Sequence, residues 1–157
     1  MTFFKIALST AIVVLAMAFN FSNDRVLAVS EIQDAIAILD DSVLNVDGGV
    51  AALFDAHANL INFLAEQGNM DEPGKAMDRP IKLLMKAGSG EISLDKRSCC
   101  HFVLSVFNCL SKSGNVEEIV VNRREIEDMF LKMVKKYPST YQFFLLFVDL
   151  RCSLCRS

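Results

Sequence analysis

Residues 46–64 read "VDGGVAALFDAHANLINFL", and the fold turns on how they are read. Asp47-Gly48-Gly49 stops whatever helix precedes it, because paired glycines raise the entropic cost of helix continuation. Beyond it, Val50, Leu53, Phe54, His57, Leu60, Ile61 and Leu64 recur at three- and four-residue steps, which places them on one side of a helix. The spacing predicts a helix from about Val50 to Gln67 with Gly68 as its C-terminal cap. His57 is the one polar ring on the apolar side. It faces either a packed interior or a cavity for an apolar guest with one polar end.

Upstream, Ser30 and Gln33 form a capping box, and Ile32, Ile36, Leu39, Val43 and Val46 make one stripe up to the glycines. Two antiparallel helices follow. Downstream, Asp71-Glu72-Pro73 opens a third helix, which Pro80 kinks or restarts. A fourth helix runs from about Asp95 to Gly114. A fifth, capped by Asn115 with Glu118, carries Ile126, Phe130, Met133, Val134 and Tyr137 and ends at Pro138. The last segment, "TYQFFLLFVDLRCSLC", is apolar all round from Phe143 to Val148, as a central enclosed helix is. No stretch sustains a period of two. The expected fold class is all-α: an up-down bundle of five or six amphipathic helices over residues 30–157.

The chain has 157 residues, 52% of them hydrophobic, with only seven glycines and three prolines. That is enough apolar material for one core. Its first residues, "MTFFKIALSTAIVVLAMA", place Lys5 before a charge-free run that ends in Ala16-Met17-Ala18, a small-x-small cleavage pattern. Residues 1–18 are therefore expected to be a signal peptide cut after Ala18. A membrane anchor is the alternative. Counted from Ile6 to Phe19, however, the run falls short of the roughly 20 residues that a span needs. Residues 19–29 read as a polar lead. The cut removes one cation and makes the formal charge one unit more negative than −3. Such a balance disfavours nucleic acid as a partner. Secretion to the extracellular space, without an integral membrane span after cleavage, is the expected address. Asn20-Phe21-Ser22 is an N-glycosylation sequon, so a glycoprotein is expected if it is used.

Five cysteines, at 99, 100, 109, 152 and 155, are expected to be oxidised in a secreted chain, and an odd number leaves at least one free or intermolecular. Cys100 and Cys109 lie about 14 Å apart along one helix, too far for a disulfide. If the helices alternate in direction, Cys109 approaches Cys152 or Cys155, and that disulfide is predicted. Cys99 and Cys100 sit at the opposite pole, as thiols or as links in a disulfide-linked dimer. The C-x-x-C at the end has no second half-site, so no metal is expected, and His101, beside Cys100, does not supply one. No P-loop, nucleophile elbow or triad pattern appears, and two histidines leave little room for acid–base catalysis. The chain is not expected to be an enzyme or to use a cofactor.

The segment "EIQDAIAILDDSVLNVDGGVAALFDAHANLINFL" resembles the opening of the fungal hydrophobic surface-binding protein A and cell-wall galactomannoprotein family. "SGEISLDKRS" looks like that family's loop into its later helices, and "IEDMFLKMVKKYPSTYQ" like its lysine-paired helix, so the resemblance spans about residues 30–142. It implies a secreted helical bundle, with cell-wall association, that adsorbs to hydrophobic surfaces or encloses a fatty-acyl ligand. This chain departs from the pattern in its cysteines, its all-apolar final helix and the lack of a Ser/Thr-rich stalk.

Twelve phenylalanines and no tryptophan supply apolar area without hydrogen-bond demands. A ligand pocket is expected to be lined by Phe54, Ile61, Phe107, Phe130, Met133, Phe144 and Phe147, with His57 donating to a carboxylate head group. The plainer reading of His57 is a core ring bonded to a backbone carbonyl. The expected function is non-catalytic binding of a fatty acid, another lipid or a hydrophobic surface. The alternative is a secreted protein-interaction factor, an effector or cytokine-like bundle with a solid core.

Overall fold

A computed structural model describes residues 1–68 and, beyond them, positions 76, 79, 80, 82, 83, 86, 91 and 92. Among the described residues the chain is all-helical, with no strand. Three helices and one short turn of tighter helix make up the frame: α1 (Thr2–Phe21), α2 (Arg25–Ile38), a 3₁₀ helix (Asp41–Asn45) and α3 (Gly49–Glu66).

α1 is a 20-residue helix, so the apolar run is longer than the stretch from Ile6 to Phe19 suggests. It includes Phe3 and Phe4 before the lysine and continues to Phe21. By length and composition it is able to cross a membrane, as a signal sequence also is. Its covered positions fall at helical steps: Thr2, Lys5, Ile6, Ser9, Ile12, Val13, Ala16, Phe19 and Asn20 are buried or half-buried. The opposite side is just as apolar but open, with Phe3, Phe4, Val14 and Phe21 all more than half exposed.

The turn from α1 to α2 occupies Ser22 to Asp24. Asn23 sits at φ 64°. That is the left-handed region, which asparagine tolerates better than most residues. Asp24 then caps α2, its side chain accepting from the Leu27 amide. The helix therefore starts at Arg25, five residues before the expected Ser30 start, and Ser30 lies inside it. Residues 19–29 are thus mostly helical.

α2 also ends early. The stripe from Ile32 to Val46 does not lie on one helix, because α2 stops at Ile38. Asp40 accepts from the Ser42 amide and opens the 3₁₀ helix. Ile32, Leu39 and Val43 nevertheless all reach zero exposure, so the chain changes its winding and keeps the stripe inward.

α3 matches the expected helix within one residue at each end. Its two glycines have different jobs. Gly48, the N-cap, sits at φ 81°. A side chain is strained there. Gly49 touches the preceding turn so closely that a Cβ would lie 1.8 Å from the Val43 carbonyl oxygen.

Polar links set the directions. Ser9 Oγ donates to the Ala35 carbonyl at 3.2 Å, and Lys5 Nζ reaches Asp40, so α1 and α2 run antiparallel. At the other end Asn20 Nδ2 donates to Glu66 Oε2 at 3.0 Å, and Gln67 Nε2 to the Arg25 carbonyl at 2.8 Å. The C-terminus of α3 therefore meets the α1–α2 turn, and α3 runs parallel to α1. Between them lies an apolar cluster of Ala16, Ala28, Ile32, Leu60, Phe63 and Leu64.

The expected helices beyond Asp71 fall largely outside the described residues. Ala76, Arg79, Pro80, Lys82, Leu83 and Lys86 are helical positions. Arg79 Nη2 donates to the Leu39 carbonyl at 2.8 Å and pairs with Asp41 at 3.3 Å. A cation thus closes the carbonyl end of α2, where the helix dipole favours positive charge.

Candidate functional site

The third helix carries the expected lining residues that fall within the described part of the chain. Phe54, His57 and Ile61 are spaced three and four residues apart, as residues on one side of a helix are. The structure brings them to one buried side: Phe54 and Ile61 have no exposure and His57 only 5%. Phe107, Phe130, Met133, Phe144 and Phe147, the other expected lining residues, lie outside the described residues, as do Cys99, Cys100, Cys109, Cys152 and Cys155.

His57 Nδ1 lies 3.1 Å from the Ala76 carbonyl oxygen. A carbonyl oxygen only accepts, so Nδ1 carries the proton and donates it there. This is the core arrangement that a histidine on an apolar face most often adopts. Burial first, and then the Arg79 cation nearby, hold the ring's pKa down to about 4, against a partial upward pull from the Ala76 bond. The ring is neutral at pH 7.

That tautomer decides what the ring offers. Its one N–H is spent on Ala76, and Nε2, buried and without a hydrogen-bond partner among the described residues, is a lone-pair acceptor. An acceptor in an apolar setting suits a hydroxyl or amide donor. It repels a carboxylate, the head group for which the sequence suggests a donating imidazole.

The packing of α1 is not among the sequence expectations. Ser9 and Ala16 sit seven residues apart on one helix, and Ala28 and Ala35 seven apart on its antiparallel neighbour. All four are buried, and small residues at that spacing let two backbones approach closely. The signal is present but hidden, because apolar residues surround it on every side of α1. Ser9 also serves Ala35, whose carbonyl is among the last four of α2 and lacks an intrahelical partner.

Asn20, the expected glycosylation site, lies in the last turn of α1. Its Nδ2 is engaged by Glu66, and its Oδ1 is buried without a partner among the described residues. A glycan on Nδ2 would displace the Glu66 contact. No group of three or more metal-ligating side chains occurs among the described residues. No family model, curated protein or solved structure matches this chain.

Proposed function

We propose that the protein is an exported, non-catalytic helical bundle of five or six helices that binds an apolar ligand of the fatty-acid or lipid class, or a hydrophobic surface. One observation carries the reading. The N-terminal apolar helix has the make-up of a cleavable leader, and the surface it covers on α2 and α3 is itself apolar. Cleavage after Ala18 hands the secreted chain an apolar surface that needs a new cover. Removal of such surface from water is worth roughly 25 cal/mol per Å².

The resemblance to the hydrophobic surface-binding and galactomannoprotein family supports the same reading and extends it to cell-wall association. The predicted disulfide from Cys109 to Cys152 or Cys155 would brace the later helices, and Cys99 or Cys100 would link two chains. His57 supports the non-catalytic part: a buried ring tied to a backbone carbonyl and neutral at pH 7 is placed for packing rather than for proton transfer.

The same ring also favours the second reading. Phe54, His57 and Ile61 are closed off as a solid core would close them, and a solid core belongs to an interaction factor that works through its exterior. Native mass spectrometry of the secreted chain separates the two. A bound lipid mass supports the carrier. An empty protein that leaves a fluorescent fatty acid unchanged removes the carrier and leaves the interaction factor.

A further inference from the structure

We infer that the ligand site of the mature chain is the groove that α1 occupies, and that it takes one acyl chain lying along α2 with its carboxylate at Arg25. This rests on the lipid-binding reading above and on removal of residues 1–18.

The groove is visible because something apolar already lies in it. α1 enters the cluster through Ala16, with Val13 and Phe19 packed beside it. The facing residues, Ala28 and Ile32 on α2 and Leu60 and Leu64 on α3, are at most 6% exposed with the helix in place. Ala35, fully buried, extends the floor toward Ser9. A cut after Ala18 takes away Ser9, Val13 and Ala16 together and leaves Phe19 at one end. What remains among the described residues is an apolar channel open along its length. From Arg25 to Ala35 it runs about 15 Å at the helical rise.

The two ends differ in charge once residues 1–18 are removed. At the α1–α2 turn Arg25 is exposed, and its Nη1 donates to the Glu66 carbonyl at 3.1 Å. It forms no salt bridge among the described residues. The Glu66 carboxylate, turned to Asn20, and the Asp24 carboxylate flank it, and a cut after Ala18 adds the α-amino group of Phe19 at the same turn. At the far end Asp40 loses its Lys5 counter-ion on cleavage, while Asp41 keeps Arg79. The first end is then balanced and the second carries one negative charge in excess, so a carboxylate is favoured beside Arg25 over the far end. That asymmetry fixes one orientation for a fatty acid. It also moves the head group away from His57, whose free nitrogen accepts.

The test uses the chain secreted from its own full-length gene. Its mass is expected to begin at Phe19. Cis-parinaric acid is expected to bind one per chain, and Ala28→Phe and Ala35→Phe, which fill the floor, are expected to weaken it at least tenfold with helicity unchanged. Arg25→Ala is expected to weaken the acid at least fivefold and its methyl ester less than twofold. A synthetic peptide of residues 1–18 is expected to displace the probe where a scrambled peptide does not, which covers the case of a floor variant that loses helicity. Undiminished binding by well-folded floor variants, with no displacement by the leader peptide, overturns the groove and leaves the carrier standing. Absence of binding by the unaltered chain overturns both. A mass that begins at Met1, or a mature dimer that binds probe only on dissociation into single chains, overturns the groove as a ligand site.

Discussion

α1 and α3 have similar length and are both rich in apolar residues, yet they are used in opposite ways. α3 buries most of itself: Leu53, Phe54, His57, Ile61 and Leu64 are at most 5% exposed. α1, the more uniformly apolar of the two, buries only Ser9 and Ala16 and leaves Phe3, Phe4 and Val14 in the open. Apolar content therefore does not assign a helix to the core. Periodicity does, because a helix with one apolar side has one way to face a partner, and a helix apolar all round has none preferred. An all-apolar helix with most of its surface open is suited to a lipid or a translocation channel.

Five substitutions or titrations sharpen this contrast. The largest effect is expected from Gly49→Ala at the start of α3. Its Cβ would meet the Val43 carbonyl, a backbone atom that no rotamer change moves. The loss should be about 3 kcal/mol or more in chemical denaturation. An unchanged midpoint would mean that α3 does not seat on the 3₁₀ helix. The next effect belongs to His57. Its pKa is lowered from 6.5 to about 4. Between these values the unfolded chain binds more protons than the folded one. Stability is then fully present above about 6.5 and falls as the pH drops toward 4, by on the order of 3 kcal/mol. Denaturation series across that range, with His57→Phe as the flat control, check the slope. A slope of equal size in the variant would assign it to other groups.

On α1 the effects shrink. Ser9→Ala in the uncleaved chain removes one buried hydrogen bond to the end of α2. It should cost about 1 kcal/mol. Val14 lies on the open side of the same helix. Val14→Ser should change stability by no more than about 0.5 kcal/mol. If Val14→Ser costs as much as Ser9→Ala, the open side is covered and the contrast with α3 disappears. A carboxyl titration adds a reading without a substitution. With Lys5 present, hydrogen bonds from Lys5 and Ser42 hold the Asp40 pKa down to about 2. Removal of residues 1–18 should return it toward the ordinary aspartate range.

Most of α3 is legible in the sequence because every local signal agrees: two glycines before it, one after it, and three- and four-residue spacing between. α2 departs from expectation at both ends for a physical reason. Asp24 offers a cap six residues before Ser30 needs to act, and Asp40 offers an alternative turn that keeps Val43 inward without a continuous α-helix. Periodicity records which residues are buried, and it does not record the winding that buries them. For the candidate site, the clustering of Phe54, His57 and Ile61 is legible from one helix. The direction of the His57 proton is not, because it is set by the Ala76 carbonyl on a later segment. The seat of α1 is hidden by its own uniform composition.

The ion pair between Lys5 and Asp40 joins positions 35 residues apart. If α1 serves as a leader, that separation is a clock. At ordinary rates of synthesis the aspartate follows the lysine out of the ribosome by about 2 to 7 s, and within that interval the first helix has no acidic latch to fold against. An export receptor that arrived early would then take the helix without competition. A late one would have to pry it from its own chain.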